Sequence, residues 1–226
     1  MSIPVRGRLQ ILLVATLVLL GACAGTPPPD WQLNAKTALD RALAAHLSGD
    51  VRADAAEIAY ARREIARTGR IDLLARAELA YCAAQVASLA FAPCAPFEAL
   101  RNDAPAAEIA YADYLQAQVQ AQDVGLLPSA HRAVAAAPTS AQLAGIEEPL
   151  ARLIAAAVVL RSGRADPAVI AIAVDTASAQ GWRRPLLAWL KAQLALAEKS
   201  GADAEVDRLR RRIAIVEGDG VAPAQR

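Results

Sequence analysis

Glycine followed within a few residues by aspartate recurs along this chain, and that punctuation dictates short helices joined by tight turns. It occurs as Ser48-Gly49-Asp50, Thr68-Gly69-Arg70-Ile71-Asp72, Ser162-Gly163-Arg164-Ala165-Asp166 and Ser200-Gly201-Ala202-Asp203. Glycine reaches the left-handed backbone that ends a helix, and aspartate caps the next one by accepting its free amide protons. Between these marks hydrophobic residues reach 55% while aromatics are only 4%, and much of the fraction is alanine. Alanine is the best helix former and the smallest core filler, so helices faced with it can approach closely. Alternation of β-branched residues is missing, and no strand is expected. The expected fold is all-α: Ala-rich helical hairpins in an α-solenoid-like or bundled arrangement.

The punctuation predicts helices over 31–47, 50–67, 72–90, 104–122, 140–161, 166–180, 184–199 and 203–217, with Pro149 either kinking or opening the fifth. A mixed segment, 123–139, carries Gly125, Pro128 and Pro138 and is the best internal boundary, with room for one short helix between the prolines. Residues 31–217 form the helical domain, and 218–226 read as a frayed tail. One hexamer recurs in three places: Ala56-Glu57-Ile58-Ala59-Tyr60-Ala61, Ala77-Glu78-Leu79-Ala80-Tyr81-Cys82 and Ala107-Glu108-Ile109-Ala110-Tyr111-Ala112. Helical repeats would produce such an echo, although its intervals are unequal. The Gly-ended pairs weakly resemble tetratricopeptide units. With Gly163 as the turn glycine, Ala156 and Ala168 fall on the two small contact positions. Asp175, and Leu194 and Val206 in the alignment on Gly201, depart from the pattern.

The N-terminus has the three parts of an export signal: Arg6 and Arg8, an apolar stretch from Leu9 to Leu20, and small residues after it. The stretch is too short to span a bilayer, which takes about 18 to 20 apolar residues. Leu20-Gly21-Ala22-Cys23 resembles the lipobox of bacterial lipoprotein precursors, with an ordinary secretory signal as the competing reading. The resemblance covers the first two dozen residues and implies that 1–22 are a signal peptide, that the Cys23 thiol is alkylated by diacylglycerol, and that its amine is then acylated. Each buried methylene adds about 0.8 kcal/mol and one chain holds only marginally, so several chains make the anchor lasting. Ala24, where an Asp would imply retention at the inner membrane, implies the outer membrane and its periplasmic face. Residues 23–30, with Pro27-Pro28-Pro29, read as a stiff lipidated spacer.

Charge narrows the partners. Lys and Arg number 24 and Asp and Glu 23, so nucleic acid is not expected as a ligand. Cys82 and Cys94, meeting an oxidising compartment after export, are expected to form a disulfide. The α-carbons must then come within about 7 Å, so the helix carrying Cys82 has to stop near Ser88 or Leu89. With only His46 and His131 as histidines, no metal site and no cofactor are expected. Ser129 and His131 suggest a dyad only superficially, because no nucleophile elbow accompanies them. Glu147 and Glu148 before Pro149 resemble the catalytic Glu of lytic transglycosylases, but the Ser and Gly-rich segment of that family are missing. Arg208, Arg210, Arg211 and Arg212 are either a solvated helix face neutralised by Asp203, Glu205 and Asp207 or a contact for anionic groups. Trp182 and Trp189 lie two turns apart, a spacing that suits packing between helices. Tyr60, Tyr111 and Tyr114 stay open between packing and a ligand shelf.

The expected protein is therefore a lipid-anchored, non-catalytic helical interaction or accessory module, tethered to the membrane through its N-terminal lipid and working with an envelope protein. The alternatives are a cell-wall enzyme with a carboxylate in a cleft, and a carrier of lipid or another apolar ligand. Replacing Cys23 with Ser is expected to abolish incorporation of labelled fatty acid into the chain in growing cells; undiminished labelling of the variant would reject the anchor.

Overall fold

The computed structural model describes residues 27–218. Cys23 and its lipobox, the signal segment and 219–226 lie outside the described residues. The described chain is all-helical, with no strand among its residues. The helices are α1 Asp30–Ser48, α2 Val51–Ala66, α3 Ile71–Ala87, α4 Ala95–Glu98, α5 Ala106–Leu115, α6 Ser129–Ala136, α7 Ser140–Ala144, α8 Pro149–Arg161, α9 Pro167–Ala179, α10 Arg183–Ser200 and α11 Asp203–Glu217. Two 3₁₀ turns, Arg101–Asp103 and Ala121–Leu126, flank α5. No helix among the described residues is long and apolar enough to cross a membrane.

The turns form for the reasons the punctuation implies. Gly49 and Gly201 close α1 and α10 at φ +90° and +69°, and each amide returns to carbonyls of the last turn. Asp50 then caps α2 through Ala53 N, and Asp166 caps α9 through Val169 N. Asp72 and Asp203 do not cap. They sit inside the first turns of α3 and α11, where a carboxylate faces the positive end of the helix dipole. Pro149 opens a helix and kinks none: Glu148 caps α8, and 140–144 form the separate helix α7.

Two predicted helices end early, both at a residue other than glycine in the left-handed region. Leu89 has φ +59° just past α3, and Ala117 has φ +59° just past α5. Such a residue costs roughly 1–2 kcal/mol. At Leu89 the break lets the chain reverse, so that Cys94 returns beside Cys82 at disulfide distance, with α-carbons 5.8 Å apart and both residues buried.

Helices α1 and α2 form an antiparallel hairpin on which α3 lies. Further packing of α3 against α5 and α8 puts it at the centre. Its buried residues, Ala75, Ala77, Leu79, Cys82, Ala83, Ala84, Val86 and Ala87, cover most of its circumference, as a helix surrounded by others requires. From α8 onward each helix packs on the next, and α10 returns to α1. A solenoid unit touches only its neighbours, so this return makes the arrangement a closed bundle. Trp189 of α10, fully buried, donates its indole N–H to the carbonyl of Ala87 at 3.0 Å, across a sequence separation of 102 residues. The segment 123–139 shares this core through Leu127 and Val134, and α6 is the short helix between Pro128 and Pro138.

The repeated hexamer has a physical role. Each of its glutamates pairs with an arginine on the preceding long helix: Glu57 with Arg41 of α1 at 3.9 Å, Glu78 with Arg62 of α2 at 2.6 Å, and Glu108 with Arg76 of α3 at 2.7 Å. Ile58 with Ala61, and Leu79 with Cys82, fill the core from the same helices. The tetratricopeptide alignment does not persist. Ala156 is fully buried, whereas Ala168 is exposed at the start of α9.

Closing the short loop between Cys82 and Cys94 contributes roughly 3 kcal/mol. A Cys94→Ser chain is accordingly expected to lose about that much in urea unfolding under oxidising conditions, and reductant should bring the parent down to the same midpoint. Equal stability of parent and variant without reductant would exclude the bridge.

Candidate functional site

A groove of about 630 Å³ runs between α3, α5, α6 and α8, with Leu43 of α1 at its edge. Its walls are mainly aliphatic: Leu79, Ala80 and Ala83 from α3, Leu126 and Leu127 from the connection before α6, and Leu150, Ala151 and Ile154 from α8. The cause is local. Helix α5 stops at Leu115, and the chain passes through the 3₁₀ turn Ala121–Leu126 and extended Leu127 and Pro128 before α6 begins, so the short helices leave one side of the α3–α8 pair open.

An aromatic cluster supports the groove beneath α5 and α6. Tyr111 stacks on Tyr114 with centroids 6.1 Å apart, and His131 lies 5.7 Å from Tyr111 and 5.0 Å from Tyr114. The Tyr114 hydroxyl is 3.4 Å from His131 Nδ1. Burial pushes both phenols up and holds the imidazole down to about 4, so all three groups are neutral at neutral pH.

The charged groups of the groove lining are two arginines, Arg76 and Arg132, and two glutamates, Glu108 and Glu148. Glu108 is buried and takes Nε and Nη2 of Arg76 on one carboxylate oxygen, at 2.9 and 2.7 Å. Glu148 caps α8, accepting the amide protons of Leu150 and Ala151. Arg132 has no acidic partner among the described residues; its Nε donates to the Leu127 carbonyl at 2.8 Å, which fixes the guanidinium at the groove.

The sequence-derived candidates fare differently. Glu148 is exposed at the rim of the groove, and Glu147 lies outside its lining. Both oxygens of Glu148 are engaged in the cap, and the other carboxylate of the lining, buried Glu108, is held by Arg76. Ser129 is exposed at the start of α6, and no hydrogen bond joins it to His131 among the described residues. Arg208 pairs with Glu205 at 2.7 Å, Arg210 with Glu198 at 2.9 Å, and Arg212 approaches the Ser178 hydroxyl, while Arg211 has no ion-pair partner among the described residues. Two of the four arginines are thus ion-paired on the surface of the fold. Trp189 is core, and Trp182 begins α10 half-buried. Tyr60 is exposed beneath Arg63, and Tyr111 belongs to the groove.

A second buried polar cluster ties α1, α2, α3 and α10 together. Asp54 accepts the Tyr81 hydroxyl at 2.6 Å, lies 3.0 Å from His46 Nδ1, and has Arg184 at 3.8 Å. Burial lowers His46 and raises Tyr81 to about 12. His46 and His131 thus lie in different clusters, and no group of three or more metal-binding side chains comes together among the described residues. Nothing local in the sequence marks Asp54 as the centre of a network, because its partners come from three other helices. Compared with protein-family models, curated proteins and solved structures, the chain matches none.

The depressed His131 has a consequence for stability. In the fold its ring stays neutral, whereas in the unfolded chain it takes up a proton below its ordinary value of 6.5. Stability is therefore complete above that value and drains as the pH falls towards about 4. At pH 5 the loss from this ring is about 2 kcal/mol. His131→Phe is expected to keep the stacking and to lose about that much less than the parent between pH 7 and pH 5 in urea titrations. Equal losses in the two proteins would show that His131 is not held neutral.

Proposed function

We propose that this chain is a lipid-anchored protein of the periplasmic face of the outer membrane that acts by non-covalent binding, as an interaction or accessory module of the envelope. The observation that carries the reading is the open aliphatic groove, with a neutral aromatic cluster and a rim carboxylate committed to capping a helix. Hydrolysis by a carboxylate acid needs that group at the reacting bond. Glu148 instead serves α8, and Glu108, the other carboxylate of the lining, is paired with Arg76, so neither stands free at the groove to act on a bond. The Cys23 lipobox supports the tether, and the spacer after it would hold the bundle off the bilayer.

A second reading is that the chain carries a lipid or another apolar molecule, and the dimensions of the groove favour it. A helix with its side chains is about 10–12 Å across. The groove volume therefore holds little more than one turn of a docked helix, but it falls within the range of small-molecule sites.

A photoreactive residue placed at Ala107, exposed on the groove lining, separates the readings in intact cells. Irradiation is expected to capture a binder at this position and not at Asp207, exposed on α11. The mass added to the chain then says whether the binder is a protein or a small apolar molecule. Equal capture at both positions would remove the groove as the working surface.

A further inference from the structure

We propose that the groove binds a long-chain carboxylate, its acyl chain against the aliphatic wall and its head group on Arg132. The proposal rests on the binding reading above, in its carrier form. Three observations select this ligand chemistry.

Charge comes first. Glu108 is neutralised by Arg76, and Glu148 is engaged by the first amides of α8. Arg132 is thus the one groove-lining charge with no ionic or helix-end counterpart among the described residues. A ligand carboxylate gives Arg132 the ionic partner it lacks, and a neutral or cationic ligand does not.

Geometry comes second. The hydrogen bond from Arg132 Nε to Leu127 O holds the guanidinium in place and leaves its two Nη groups for a partner. A pair of parallel N–H donors matches a carboxylate, which accepts both at once. The Tyr111 hydroxyl lines the same groove, has no hydrogen-bond partner among the described residues, and is neutral, so it can donate to a further lone pair.

Shape comes third. Most of the lining is Leu, Ala and Ile, and its glutamates are engaged by Arg76 and by the first amides of α8, which leaves little to satisfy the backbone amides of an extended peptide. An acyl chain asks for none.

The test uses the full chain on phosphatidylcholine vesicles with a photoreactive palmitate analogue, and labelled sites are mapped by peptide mass. Labelling is expected on peptides containing Leu79–Ala83 and Leu126–Arg132, with competition by palmitate and not by its methyl ester. Arg132→Gln should weaken binding by about tenfold, the loss of one charge-assisted pair, and Ala107→Trp, at an exposed position, should block entry. Circular dichroism checks that both variants keep their helices, and a misfolded Arg132→Gln is replaced by Arg132→Lys, which keeps the charge and loses the fork. Labelling equally strong with the methyl ester, or unchanged in Arg132→Gln, would overturn the proposal. If an apolar peptide labels the groove and palmitate does not, the ligand named here is wrong while the binding reading stands. If neither probe enters the groove, both fail.

Discussion

One hydrogen bond reaches across the two halves of this chain at the centre of their shared core: the indole N–H of Trp189 on the carbonyl of Ala87. The last carbonyls of a helix have no intrahelical donor, and at the end of α3 the left-handed Leu89 turns the chain aside. A buried carbonyl left without a partner costs about 1–3 kcal/mol. Trp189 supplies that partner from a helix remote in sequence, and its ring fills the space where α3 meets α10. That closure adds to the packing of α3 on α8 and of α10 on α1, which together join the two halves.

Alanine explains how the rest is arranged. Small side chains let helices pack closely but bury little apolar area each, at about 25 cal/mol per Å², so specificity has to come from elsewhere. Here it comes largely from arginine. Arg41, Arg62 and Arg76 reach the glutamates of the repeated hexamer, whereas Arg161 donates to Leu115 O, Arg152 to Ile146 O and Arg183 to the last carbonyls of α11. The same kind of side chain that sets the order of the helices also closes their free ends. Arg132 belongs to this set through Leu127 O, and its unused Nη groups are what distinguish the groove from the other junctions.

Much of the fold was legible because it is local. Glycine and aspartate mark where α1 ends and α2 begins, and Pro-bounded α6 could be read from its flanks. The requirement that the Cys82 helix stop near Ser88 was also correct, since it came from the geometry of the pair. Helices 72–90 and 104–122 were read too long because Leu89 and Ala117 adopt positive φ without the glycine that signals it. Asp72 was misread as a cap because Arg70 holds it from two residues upstream, at 2.6 Å. The groove was not legible at all: its lining comes from six segments between Leu43 and Ile154, and no periodicity on one helix reports that they meet. The repeated tyrosine was the one available hint. Only the third copy, Tyr111, reaches the groove; Tyr81 turns to Asp54 and Tyr60 to solvent.

Hydrogen exchange on the parent and on Trp189→Phe tests most directly whether the Trp189 bond couples the two halves. The closed bundle requires amides of α3 and α10 to lose protection together in the variant, by about 1–3 kcal/mol, with α8 between them affected as well. Loss confined to α10, with α3 as protected as before, would show that the halves are separate bodies in contact and would contradict the account.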